Sequence, residues 1–385
     1  MHFLKLIALA AVLGRTAAHP GHDLTQEIAE RRAYLANIAR TDLSHCAEKL
    51  ARRGITRRNV QRRAAAVNNA RVKRSLRPRD ADAVLAINHN ATSLGYTPNT
   101  DIGTLFAGNT SCILSPEVTQ GPYYVSGEHI RSSIADSQPG IPTILDYQVI
   151  DVNTCDPVPN VYLEIWHCNS TGVYSGVVAS GNGAGTSDPG NINATHHRGI
   201  QRTDADGVAQ FETTFPGHYT GRATHVHTMV HAGGKLYCNG TLGTQVSSSH
   251  VGQTFFDQAL IAAVDSVQPY ADNTQQLTEN KDDSIFAEEA ATGADPLFEY
   301  TYLGDGVEDG VFGWISFGYN ATAVGSEVTP AAFLYAEGGV ANADGGGMGG
   351  GGGPGGGGSM SGGPSGVPPS GAMPSGAPAA ATSSA

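Results

Sequence analysis

Residues 207–232 read GVAQFETTFPGHYTGRATHVHTMVHA. Two runs rich in β-branched and aromatic residues, GVAQFETTF and ATHVHTMVHA, flank the turn-forming PGHYTG, a pattern that predicts two strands joined by a short connection. In an extended strand residues i and i+2 point to the same side. His225, His227, Met229 and His231 are therefore expected on one face of the second strand. Tyr219 and Arg222 stand in the connection just ahead of them. A phenol, a guanidinium and two imidazoles this close together raise the question of a metal.

Outward from this stretch the texture is the same from about residue 108 onward. ILDYQVIDV, VYLEIWHC, KLYCNG, HVGQTFFD and FGWISFGYNAT are short apolar runs separated by Gly, Pro, Asn and Asp turns, and FFDQALIAAVDSV adds one short helix. The expected class is mainly β: a β-sandwich of antiparallel strands with an N-terminal helical arm and a disordered Gly-rich C-terminal tail. The arm reads as helix over 24–75, interrupted at Gly54, and the tail is low in complexity. The expected divisions are a signal peptide over 1–18, a basic arm over 19–80, the sandwich over 81–337 and the tail over 338–385.

The first 18 residues combine Lys5, the apolar LIALAAVLG and small residues before a cleavage point after Ala18, which predicts secretion to the extracellular space. No other run is apolar enough for a membrane helix, so no membrane partner is expected. Six sequons, at Asn90, Asn109, Asn169, Asn193, Asn239 and Asn320, predict a glycoprotein. Cys46, Cys112, Cys155, Cys168 and Cys238 form no CxxC pair, which suits two disulfides and one free thiol in an oxidising compartment. Residues 19–80 hold 15 Lys and Arg against 6 Asp and Glu, whereas residues 81–385 hold 6 against 29. That division favours an arm docked on its own acidic domain or on an anionic cell-wall polymer over one that binds nucleic acid, since no aromatic stacking pattern accompanies the arginines. RVKRS, at residues 71–75, also has the form of a dibasic processing site that would release the arm.

A His-x-His pair on a strand is often inert. Here it has company: Tyr219 and Arg222 precede it, and Tyr174 follows the run VYLEIWHC and the turn NSTG. Two imidazoles and two phenols make a mixed nitrogen and oxygen site. Zinc usually takes Cys, His or carboxylate, so two tyrosinates point instead to a trivalent cation, ferric iron.

LSPEVTQGPYYV, DVNTCDPVPNVYLEIWHCNSTGVYSG, HRGIQRTDADGVAQFETTFPGHYTGRATHVHTMV and HVGQTFF, taken in order, resemble the successive motifs of the intradiol ring-cleavage dioxygenases, most of all the secreted fungal branch. The likeness spans about residues 112–260. It implies a non-haem Fe(III) cofactor held by Tyr174, Tyr219, His225 and His227, with Tyr219 also acting as base and Arg222 as the active-site arginine. Gln253 falls on the family's pocket glutamine, and Gly121, Pro122, Tyr123 and Tyr124 on the segment that walls the substrate cleft. The implied reaction opens a catechol-type ring between its two hydroxylated carbons with O2, giving a cis,cis-muconate-type diacid.

Two departures accompany the likeness. The loop between Tyr219 and Arg222 is shorter than in the intracellular enzymes, and the helical arm does not match the dimerising helices of catechol-cleaving relatives. Two other readings compete. Cleavage after Ala18 would leave His19 as an N-terminal copper ligand of a secreted oxygenase. A non-catalytic secreted β-sandwich that binds wall polymer or a partner would use the fold without the site.

Overall fold

The computed structural model describes residues 43–76, 111–113, 121–183, 185–232, 236, 240–242, 250–291, 295–320 and 328–343. Twelve strands are described: β1 Ser111–Ile113, β2 Val125–Ser126, β3 Pro142–Asp151, β4 Tyr162–Trp166, β5 Arg198–Arg202, β6 Val208–Thr214, β7 His225–His231, β8 His250–Phe255, β9 Glu299–Tyr302, β10 Val311–Tyr319, β11 Ala332–Tyr335 and β12 Gly338–Ala341. The helices are α1 Ala47–Arg52, α2 Ile55–Lys73, α3 Gln258–Asp265 and α4 Ser284–Ala291. The expected mainly-β sandwich is what forms. The signal peptide, His19, Cys238, the sequons at Asn90, Asn109 and Asn239, and most of KLYCNG and of the tail lie outside the described residues.

Strands β5-β4-β7-β8 make one fully antiparallel sheet. The other runs β1-β10-β3-β6, with β9 also on β10. It adds two parallel pairings, β10 with β3 and with β1, to the antiparallel ones. Between the sheets the period-two alternation of each strand delivers one apolar face. Leu145, Tyr147 and Val149 of β3, Phe211 of β6 and Ile315 and Phe317 of β10 meet Leu163 and Ile165 of β4 and Val226 and Val230 of β7. Helix α3, capped by Asp257 accepting from Leu260 N at 2.7 Å, adds Leu260, Ile261 and Val264 to this core.

The helical arm lies on the opposite face of the β3–β10 sheet. The docking face of α2 is Ile55, Asn59, Arg63, Val67 and Ala70, spaced three and four apart. Asn59 donates to Gln148 at 2.7 Å, and Arg63 and Arg62 converge on the buried Asp146 at 3.2 and 3.0 Å. Arg63 also covers the Trp314 ring at 5.5 Å. Arg58 pairs with Asp206 and Lys73 with Glu212. A disulfide, Cys46–Cys155, closes a separation of 109 residues. Basic arm and acidic sandwich are thus matched charge to charge. Lys73 and Arg74 of the dibasic sequence end α2, with Arg74 donating to Asp309 O at 2.7 Å.

The tail boundary moves. Gly338–Ala341 was expected to open the low-complexity tail, but it forms β12, antiparallel to β11, which in turn pairs parallel with β2. The glycines there serve packing: a Cβ on Gly339 would stand 1.9 Å from Ile192 O. Low side-chain content hid a strand that needs bare backbone.

Candidate metal centre

Cross-strand register places Arg198 beside Trp166, Trp166 beside His227 and His227 beside Gln253, one row across all four strands of the antiparallel sheet. This row lies on the face away from the main core. On β7, Val226, Thr228 and Val230 alternate with His225, His227, Met229 and His231, and all seven are buried. The shared face expected for the histidines therefore exists, covered by a second apolar cluster that includes Tyr123, Tyr124, Val177 and Met229.

Two loops bring the tyrosines to it. Tyr174 is held by its backbone: its N–H donates to Asn182 Oδ1 at 2.7 Å, and its carbonyl accepts from Asn182 and Asn191 at 2.7 and 2.8 Å. Asn169 shapes the preceding turn by accepting from Thr171 N and Val173 N, both at 3.0 Å. Tyr219 sits in the 216–222 connection, which packs backbone to backbone on that turn. A Cβ on Gly217 would lie 2.4 Å from Ser170 O, and one on Gly172 2.3 Å from His218 O. Neither glycine can be replaced without separating the loops that carry the two phenols.

Four donor atoms converge as a result. His225 Nε2 is 3.1 Å from His227 Nε2 and 3.3 Å from both the Tyr174 and Tyr219 hydroxyls. His225 Nδ1 lies 2.6 Å from Ala223 O, and a carbonyl only accepts, so Nδ1 carries the proton and Nε2 presents its lone pair to the cluster. His227 is stacked on Trp166, rings parallel within 2° and 4.8 Å apart. Ligand atoms bound at ~2.0–2.1 Å to one cation stand ~2.9–3.4 Å apart when their bonds open by about 90–110°. The observed separations are edges of such a polyhedron, and the set fits a bound metal ion.

The electrostatics agree. Burial, followed by the nearby Arg222 charge, pushes His225 down to about 3, so the imidazole is neutral. Burial also raises both phenols, Tyr174 and Tyr219, above their usual range. A multivalent cation among them would act in the opposite sense and favour the phenolates. Arg222 is fully buried and donates to Asp283 Oδ2 at 2.8 Å and to Gln253 Oε1. Burial works to lower its pKa, but Asp283 together with Tyr219 and Tyr174 outweighs this and raises it, keeping the guanidinium charged.

The remaining residues fall as follows. Tyr123 stacks on Tyr174 at 4.8 Å, and Tyr124 tilts against Trp166 at 5.2 Å. Gly121, with φ 72°, and Pro122 are half-buried in the turn ahead of them. His231 pairs instead with Glu164 at 2.6 Å, away from the donor set. His196 and His197 form the turn ahead of β5 and are buried, and His197 stacks on His167 at 4.5 Å. Another His and Cys grouping, His45 with Cys46 and Cys155, has its sulfurs joined in the disulfide. Cys168 is a buried free thiol. Sequence reasoning missed Asp283, Asn182, Asn191 and the buried pair of Arg198 with Glu128, whose guanidinium and carboxyl groups approach to 3.7 Å. Only NKDDSIF, with an acid ahead of a helical run, carried a cap signal for Asp283.

Comparison with known proteins follows the same line. Residues 118–264 match the family model described as a dioxygenase. Among solved structures, an intradiol ring-cleavage dioxygenase from Tetranychus urticae is 29% identical, over 56% of this chain and 98% of that one, with a TM-score of 0.45. A catechol 1,2-dioxygenase from Acinetobacter sp. ADP1 is 20% identical over 68% and 77%, with a TM-score of 0.35. A hydroxyquinol 1,2-dioxygenase from Pseudomonas putida DLL-E4 is 16% identical over 62% and 74%, with a TM-score of 0.32. A search of the curated proteins gave no match. The fold and the buried tyrosine–histidine set define an oxidoreductase of the dioxygenase class. Residues 118–264 carry the match to that family, and the solved structures the chain is similar to include intradiol ring-cleavage dioxygenases.

Proposed function

We propose that this protein is a secreted non-haem Fe(III) enzyme that opens catechol-type rings between the two hydroxylated carbons, with both atoms of O2 entering a cis,cis-muconate-type diacid. One observation carries the reading: two phenol oxygens and the His227 Nε2 lie within 3.1–3.3 Å of the His225 Nε2, four donor atoms in one cluster. Ferric iron bound by Tyr174, Tyr219, His225 and His227 would supply the Lewis acidity that draws both catechol oxygens into their deprotonated form and makes the ring reactive toward O2.

The chain's own residues divide the rest of the work. Tyr174 is clamped by Asn182 and Asn191, whereas Tyr219 rides on a turn. That asymmetry suits Tyr219 to accept a substrate proton at its phenolic oxygen while Tyr174 holds position. Arg222 keeps a positive charge beside the donors, where negative charge develops as the ring opens. Trp166 fixes the plane of His227, and Tyr123 covers one side of Tyr174 and keeps water from it. The leader over 1–18 and the disulfide both suit a secretory route.

Incubation with catechol under isotopically labelled O2 tests this. The expected product is a diacid carrying two labelled oxygens. An aldehyde acid, from cleavage beside the diol, would contradict the assignment.

A further inference from the structure

Asp283 is buried and belongs to no part of the site reached by the sequence motifs. The four hydrogen bonds described for its carboxylate divide evenly. Oδ1 accepts from Ile285 N at 2.8 Å and Phe286 N at 3.0 Å, capping the first turn of α4. Oδ2 accepts from Arg222 Nε at 2.8 Å and from Ala223 N at 2.7 Å. The same residue, Ala223, turns its carbonyl to accept from His225 Nδ1 at 2.6 Å. On its other side Arg222 reaches Gln253, the register partner of His227.

We propose that Asp283 is a positioning residue of the reaction: one carboxylate anchored on α4 sets the direction of the Arg222 guanidinium and braces Ala223, whose carbonyl orients His225. The charge matters as well as the contact. A buried guanidinium without its carboxylate turns toward whatever acceptor it can reach, so it no longer faces the site where charge develops. The inference rests on the proposed ring cleavage, but its geometry is independent of which catechol is used.

The test exploits the fact that asparagine caps helices as well as aspartate does. Asp283→Asn keeps the cap and the size and removes the charge. The variant is compared with Arg222→Gln and with the double substitution, each assayed with catechol for kcat and KM, for iron per chain and for Tm. We expect Asp283→Asn to retain its iron and lose kcat by about 10- to 100-fold, in the range of a misaligned electrostatic group. In the Arg222→Gln background the same change should cost less than about two-fold, since the two act as one unit. The double variant also removes both buried charges together, so it folds even if Asp283→Asn alone does not. It then has kcat equal to that of Arg222→Gln. A merely structural cap lowers Tm in both backgrounds and leaves kcat per bound iron unchanged. The proposal is overturned if Asp283→Asn turns over at the wild-type rate per iron, or if its cost is the same with and without Arg222. Wild-type protein that binds iron but leaves catechol intact would instead overturn the function, a separate outcome.

Discussion

At the residue scale the two tyrosines are chemically alike and structurally different. Tyr174 is pinned through its main chain by two buried asparagines, and Tyr219 is held mainly by the turn around it. Substituting Tyr219→Phe removes one donor and the assigned base together. We expect most of the iron to remain on the other three side chains and turnover with catechol to fall by about 100-fold or more, the usual span of a lost general base. Unchanged kcat would remove that role. Glu128 makes a separate prediction. Burial, opposed by Arg198, pushes its carboxyl from the usual 4.5 up to about 8. The native state then keeps a proton that the unfolded chain releases between these values. Its contribution is whole below about pH 4.5 and is lost as the pH rises toward 8, by up to ~1.4 kcal/mol per pH unit. Glu128→Gln has no such proton to lose, so its Tm should fall less than that of the wild type between pH 5 and 8. Parallel Tm curves would contradict the assignment.

At the element scale β7 was legible because its pattern has period two. His225 and His227 are separated by Val226, and only an extended chain puts both imidazoles on one side. The convergence of the tyrosine loops was not legible from spacing, because it depends on Gly172 and Gly217 meeting backbones far away in sequence. Asp283 escaped for a similar reason: it stands 61 residues from its partner Arg222 and reads locally as a helix cap. Helix α2 was predicted as a helix, yet its docking face contains Asn59 and Arg63 and therefore lacks an apolar stripe. Only the charge division announced where it would bind. The arm is tied down by the Cys46–Cys155 link, whose span is worth on the order of 2–4 kcal/mol. Replacing both cysteines by serine should lower unfolding free energy by about that amount in denaturant titrations. Catechol turnover should stay within about two-fold, because the link sits on the sheet that does not carry the donors. Turnover that falls with the disulfide would show that the arm supports the site.

At the scale of the whole molecule two sheets share a core, and their outer faces do different work. The mainly parallel β1-β10-β3 face receives the basic arm through Asp146, Gln148 and Trp314. The antiparallel face carries the row Arg198, Trp166, His227 and Gln253 and buries the donor set beneath its loops. The class of fold followed from strand and turn alternation, and the donor types from four side chains. The supports around them, from Asn182 to Glu128, are long-range contacts that no local pattern encodes. The most direct test of the central claim is metal analysis of the carefully purified protein together with its visible absorption spectrum. The account predicts about one iron per chain and a burgundy colour from tyrosinate-to-Fe(III) charge transfer, with the band altered in Tyr219→Phe. Colourless protein that takes up no iron would contradict it.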